Sequence, residues 1–354
     1  MSSPEEPPGR FRARALSGVK RGGSEAAARL GIYRLAEAAL GGLGVVFTLH
    51  RVVEPGRPLL WPGYEIHADV LDAVLGWIAR LGWEVVSLDA LRERVLQGER
   101  RGRHVCLTFD DGYEDTLRLA LPVLRRHGAP FTVYATTGLV ERRAFYWWGA
   151  LADVVTRADR VAWPGSDGTA PRTLPAATWP QKRRTYATLC DLCELAGGDV
   201  TRALLGAHGV DWEGAADRDF LTLASLAELA ADPLAAIGAH GVTHRRLGAL
   251  GETTAERELA QGKRTLERWL GREVRHVAYP FGSPAACGAR EFALAAELGF
   301  ATGVTTRRGN VFPGHRDRLT ALPRREIPLS VFRLRNALTG VETLLQGTPR
   351  VQRA

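Results

Sequence analysis

Short apolar runs alternate along the chain with amphipathic stretches of helical period. The runs are "GVVFTLH" (44–50), "EVVSL" (84–88), "HVCLTF" (104–109), "PFTVYAT" (130–136), "LAAIGAH" (234–240), "RHVAYP" (275–280), "FATGVTT" (300–306) and "ALPRREI" (321–327). Their length and apolar content predict short buried strands. Between them "HADVLDAVLGWIARLG", "TLRLALPVLRRHG" and "TAERELAQGKRTLERWLG" carry apolar residues at helical spacing. Buried strands alternating with such helices predict a parallel sheet covered by helices. About eight units of this kind in one α/β chain favour a closed barrel over an open sheet. In barrels the chemistry gathers at the carboxyl ends of the strands.

The regularity breaks between Glu141 and Leu223. "FYWWGALADVV", a Gly/Pro-rich piece "WPGSDGTAPRTLP" and a helical run through "KRRTYATLCDLCELAGG" together predict a mostly helical insertion at 141–223 with the character of a lid. The expected organisation is a basic N-terminal extension and leading helix (1–43), the barrel (44–329), and a C-terminal helix with a basic tail (330–354).

Composition narrows the function classes. Of 354 residues 45% are hydrophobic, enough for a substantial core. Lys and Arg outnumber Asp and Glu by 47 to 39, a formal charge of +8, and the pI is about 9.7. No aromatic-studded basic helix or RNA-binding signature accompanies the charge, so nucleic acid is not the expected partner. The positive balance leaves room for contact with an anionic membrane surface or a phosphate-bearing carrier. The stretch "LAEAALGGLGVVFTLH" is broken by glycines and reads as a helix running into a strand, so no membrane span is expected. The N-terminus lacks a secretory h-region, and the expectation is a cytoplasmic protein, with peripheral contact to a membrane left open by its charge. Cys190 and Cys193 form a lone C-x-x-C in a helical run, which favours helix packing over a zinc ribbon.

Three polar motifs follow their strands. "TFDDG" sets Asp110 beside Asp111. Successive strand residues point to opposite faces, so the two reach one pocket only if the backbone curls at the strand end, where Gly112 permits it. A turn or helix N-cap is the plainer role for such a pair. "AHGVTH" places His240 and His244 four apart. Extended, the two would lie about 13 Å apart, too far for one ion; a helical turn would bring their β-carbons to about 6 Å. Two imidazoles and the Asp111 carboxylate would leave open positions for water and substrate, as in a hydrolytic zinc site. The H-x-x-x-H spacing is also common by chance. "AYPFG" fixes an exposed backbone through Pro280 and Gly282. It could offer the Phe281 N–H to a developing oxyanion, with Tyr279 beside it, or be an ordinary strand-ending turn.

"TFDDG", "HGVTH" and "YPFG", in this order and spacing, resemble the polysaccharide deacetylases, the family-four carbohydrate esterases with a NodB homology domain. The resemblance spans about Gly44 to Ile327 and extends to "VVFTLHRV", "LPVLRRHGAPFTVYATTG" and "REFALAAELGFATGVTTRRG". It implies an incomplete or distorted (β/α) barrel of about seven to eight strands, a divalent metal, and removal of N- or O-acetyl groups from sugars. Carried over residue by residue, it makes Asp110 the catalytic base and Asp111, His240 and His244 the metal ligands. Zinc is the expected ion, with cobalt or nickel able to use the same ligands.

The chain departs from the family pattern twice. Ala278 stands where many members carry the arginine that orients the base, with Arg324 a candidate substitute or a surface ion pair. The usual late histidine that acts as general acid is missing; His315 is the nearest candidate, although a lone loop histidine is commonly solvated. His50, at the end of the first strand, could line the pocket, and Trp147 and Trp148 could stack on sugar rings or pack the insertion.

The expected substrate is an N-acetylhexosamine-containing oligosaccharide, polysaccharide or glycolipid precursor. O-deacetylation or deformylation of a lipid-linked sugar, and glycan binding without turnover, are the alternatives. The sequence sets no oligomeric state.

Overall fold

The computed structural model describes residues 32–166 and 170–342. The N-terminal extension and the basic tail lie largely outside these residues. Twelve strands occur in chain order: β1 (Gly44–Leu49), β2 (Arg51–Val53), β3 (Glu65–His67), β4 (Glu84–Val85), β5 (His104–Phe109), β6 (Phe131–Ala135), β7 (Arg160–Trp163), β8 (Arg172–Pro175), β9 (Ala235–Ala239), β10 (His276–Ala278), β11 (Thr302–Arg308) and β12 (Leu322–Glu326). Each of the eight expected runs overlaps one.

Seven strands close into a parallel barrel in the order β1-β12-β11-β10-β9-β6-β5 and back to β1, while β4 adds beside β5. The barrel is distorted. β9 and β10 share a single register pair, Ala239 with Val277, and the register slips along β11–β12 between Val304 and Arg308. β1 and β5 are buried along their whole length, as strands in a helix-covered barrel must be. The covering helices bury one stripe each; in Ala68–Arg80 it is Leu71, Val74, Leu75 and Ile78, the spacing of a 3.6-residue period.

The segment after β6 contains the helices Trp147–Arg157, Trp179–Ala196, Gly198–Ala207 and Trp212–Asp219, gathered on an apolar cluster of their own that includes Leu151, Val155, Leu189 and Leu204. Cys190 and Cys193 are buried in that cluster as free thiols. The Gly/Pro-rich piece is not irregular throughout: its flanks pair as the antiparallel strands β7 and β8. This helical layer is fastened to the barrel mouth. Leu221 N–H donates to the Gly112 carbonyl at 3.0 Å. Arg51, just past β1, pairs with Asp115 at 2.9 Å and with Asp219 at 3.2 Å. Among the described residues no helix is long and apolar enough to cross a membrane.

Candidate active site

The three motifs meet at the carboxyl end of the barrel. Asp110 continues the β1–β5 pairing, its N–H donating to Leu49 O at 2.9 Å. Asp111 then takes φ +74° and Gly112 φ +85°. Two successive left-handed residues turn both carboxylates into one pocket. A Cβ on Gly112 would lie 3.3 Å from Ala135 Cα, so space as well as φ favours glycine there.

His240 and His244 are brought together without the helical turn expected from their spacing. The 240–246 segment is a bend in which Gly241 takes φ +72° and His244 φ +55°. Glu258, buried on the helix Glu252–Leu270, holds the bend. One of its oxygens accepts from Val242 N at 2.8 Å and Thr243 N at 2.9 Å, and the other from the Thr243 hydroxyl at 2.6 Å. Four non-glycine residues among those described have positive φ, and Asp111, His244 and Phe281 are three of them. Backbone strain costs of order 1–3 kcal/mol per residue and gathers where a site needs it.

Asp111, His240 and His244 present ligand atoms within 4.8 Å of one another. The two Nε2 atoms lie 3.3 and 3.2 Å from Asp111 Oδ1. Asp111 is fully buried, yet neither of its oxygens meets a donor at hydrogen-bonding geometry. His240 Nδ1 sits 2.7 Å from the Ala278 carbonyl, which fixes that nitrogen as the donor and turns the Nε2 lone pair toward Asp111. Burial opposes ionisation of Asp111, but His244 and His240 hold it well below the usual carboxylate range. A buried anion with free lone pairs, faced by imidazole nitrogens, fits a divalent cation of borderline softness.

Asp110 has a different partner. Arg324, fully buried on β12, donates to both of its oxygens, Nη1 at 2.6 Å and Nη2 at 2.7 Å. The same guanidinium reaches the Thr108 hydroxyl and the Thr305 carbonyl, each at 3.0 Å. Arg324 is therefore no surface ion pair. It reaches Asp110 from β12, two strands away from Ala278 on β10. Burial pushes the Asp110 carboxyl up, and Arg324 more than offsets it, leaving the pKa lowered.

His50 lines the same pocket, Nε2 at 3.8 Å from Asp110 Oδ2, with its ring stacked on Tyr64 at 3.6 Å. Phe281, at φ +62°, lays its ring 5.1 Å from that of His244. The Trp148 ring lies 4.9 Å from that of His244, and its indole N–H donates to Tyr113. Three expected residues fall elsewhere. The Tyr279 hydroxyl turns away to donate to Thr320 O at 2.7 Å, held by the strand's alternation. His315 is buried between β11 and β12 and caps its own turn, accepting from Phe312 N at 3.0 Å. Trp147 packs into the helical layer. The sequence reading missed Glu258, Tyr64 and Trp61. "WPGYE", a turn between aromatics soon after the first strand, is the signal that could have pointed to the last two.

The sequence model of the family described as polysaccharide deacetylase matches residues 97–163 and 181–302. The chain belongs to the polysaccharide deacetylase family. Like its relatives it is a deacetylase-type amidohydrolase, a class that is generally metal-dependent. Among solved structures the chain is similar to the Streptococcus pyogenes deacetylase PplD in complex with acetate, at 18% identity and a TM-score of 0.53, over 87% of this chain and 100% of that one. It is also similar to IcaB from Ammonifex degensii, at 17% identity and a TM-score of 0.52, over 84% and 98% of the two chains. At these identities the likeness is one of fold. No curated protein matches the chain. Both Arg324 and His50 stand outside the segments matched by the family, so its motifs alone do not point to them.

Proposed function

We propose that this deacetylase removes N-acetyl groups from an N-acetylhexosamine-containing glycan or glycolipid precursor, with Asp110 as its base. The observation that carries the reading is the division of labour between neighbouring carboxylates. Asp111 faces two imidazoles, and Asp110 faces a guanidinium that leaves it ionised with lone pairs to spare.

Asp111, His240 and His244 would hold the ion, with zinc expected. Such an ion supplies Lewis acidity toward an acyl carbonyl and toward water. Asp110 takes the proton of the attacking water as the new C–O bond forms. Arg324 fixes both Asp110 oxygens, so the base meets the water in one orientation and stays charged until it acts. The carbonyl oxygen becomes an oxyanion, for which the Phe281 N–H is the expected donor. When the C–N bond breaks, the amine needs a proton, and the one that Asp110 took from the water can reach it directly or by way of His50, 3.8 Å from Asp110, in the role expected of His315. Acetate and a free amino sugar leave.

The test is acetate release from N-acetylated oligosaccharides, with and without a chelator, beside Asp110→Asn. Release that needs both the metal and Asp110 supports the reading; a variant as active as the wild type overturns it. Release from O-acetylated sugars alone would make the enzyme an esterase.

A further inference from the structure

The two histidines of the site are held in unlike ways. His240 is fixed by a hydrogen bond, its Nδ1 2.7 Å from the Ala278 carbonyl. His244 Nδ1 is buried and meets no hydrogen-bond partner in the protein. A metal-binding imidazole is ordinarily oriented by the bond that its other ring nitrogen makes. The His244 backbone, at φ +55°, is strained as well. Something other than a hydrogen bond must fix this ring. We propose that Trp148 is a positioning residue, through which the helical insertion orients the His244 imidazole for the metal. The inference rests on the proposed function only for the reading of Asp111, His240 and His244 as metal ligands.

Trp148 is itself held at several points. Its indole N–H donates to the Tyr113 hydroxyl at 2.8 Å, and its carbonyl accepts from the Tyr186 hydroxyl at 3.1 Å. Its ring meets Tyr146 edge-on at 4.9 Å. Tyr146 in turn donates to Asp219 at 2.9 Å, and Asp219 pairs with Arg51 of the barrel. From this anchored place the buried indole lies 4.9 Å from the His244 ring, tilted by 39°. Phe281 lies 5.1 Å from the same ring at 43°. Arg246 sits over Phe281 at 4.6 Å and pairs with Glu194 on the helix Trp179–Ala196. A chain of contacts thus leaves the insertion at Trp148, passes through His244 and Phe281, and returns to the insertion at Glu194.

The two ends of that chain differ in weight. The Arg246 and Glu194 side chains are 44% and 29% exposed, and an ion pair open to water contributes little. Trp148 is buried and locked by its own hydrogen bonds, which is what a residue needs in order to hold another in place. Ring packing orients a further imidazole of the pocket in the same way. His50 Nδ1 also meets no partner in the protein, and the His50 ring lies on Tyr64 at 3.6 Å, which stacks on Trp61 at 4.2 Å. Those two rings come from the loop between β2 and β3, and the one beside His244 from the insertion.

The test measures the zinc affinity of the full chain by competition with a chromophoric chelator, and the visible spectrum of the cobalt-loaded chain, which reports ligand geometry. Trp148→Ala should bind zinc about 10- to 100-fold more weakly than the wild type and alter the cobalt bands. Trp148→Phe, which keeps an aromatic face, should recover most of both. Trp148→Leu, which keeps apolar bulk without a ring, takes the place of the alanine variant if that one does not fold. Affinity and spectrum equal to the wild type in either folded variant overturn the inference, and so does a loss that Trp148→Phe leaves unrepaired. His244→Ala is the reference: unchanged affinity there, or no zinc uptake by the wild type, would sink the metal-site reading and this inference together. Because neither readout needs turnover, the expected pattern without acetate release would overturn the hydrolase reading and leave Trp148 its role.

Discussion

Arg324 grips both oxygens of Asp110 across 214 residues of sequence, at 2.6 and 2.7 Å, with both side chains buried. Replacing it by Met leaves a buried carboxylate without a partner, which costs about 3–5 kcal/mol. Thermal or urea unfolding should show that loss. Arg324→Lys keeps the charge but loses the fork, and a base out of position costs on the order of 10²-fold in rate. An equal rate in Arg324→Lys would mean that the grip stabilises without orienting.

The same pair sets the acid limb of the pH–rate profile. Arg324 holds the Asp110 pKa below the ordinary carboxylate value, so the base should stay ionised as pH falls into the usual carboxylate range. In Arg324→Met the main opposition to burial is gone, and the limb should move to higher pH. A limb that stays in place would assign it to another group.

Metal should act as a folding ligand. An ion bound by Asp111, His240 and His244 but not by the unfolded chain stabilises by about 2.7 kcal/mol at a hundred times its dissociation constant. A chelator should therefore lower the Tm of the wild type. In Asp111→Asn, which removes the anionic ligand, added zinc should no longer raise it. The readout is calorimetry, independent of activity.

Glu258 touches none of the proposed ligands, yet it clamps the bend that joins two of them. Glu258→Gln should keep one or two of its three hydrogen bonds and weaken metal binding about 10- to 100-fold, the usual cost of losing an outer partner of a ligand. Competition with a zinc chelator of known affinity would measure it; unaltered affinity would show that the bend holds itself.

Asp219 links the helical layer to the barrel, accepting from Tyr146 at 2.9 Å and pairing with Arg51 and Arg218. Burial opposes its charge, but Arg51 and Arg218 leave its folded pKa below the ordinary value. A depressed folded pKa contributes stability above the unfolded value of about 3.9, lost as pH falls toward the folded one. Tm measured from pH 6 to pH 3 should fall less steeply in Asp219→Asn. An equal slope would place the acid sensitivity elsewhere.

The sequence by itself determined the eight strands of the main sheet, the order of the motifs and the residues that converge on the pocket, because these are local facts. A buried strand announces itself by its apolar run, and a strand-end carboxylate or histidine by the glycine that lets it turn. It also marked the gap at Ala278 and offered Arg324 to fill it, without deciding between that role and a surface pair. Barrel closure decided, because β12 lies beside β1, and β1 beside β5, a neighbourhood that no spacing along the chain encodes. Tertiary structure alone put His50 beside Asp110 and turned His315 into its own turn, replaced the expected helical turn between His240 and His244 with a clamped bend, and paired β7 with β8. It also set Trp61 and Tyr64 in line with the base. Such choices depend on which distant elements share a wall, and that is fixed only when the whole core packs.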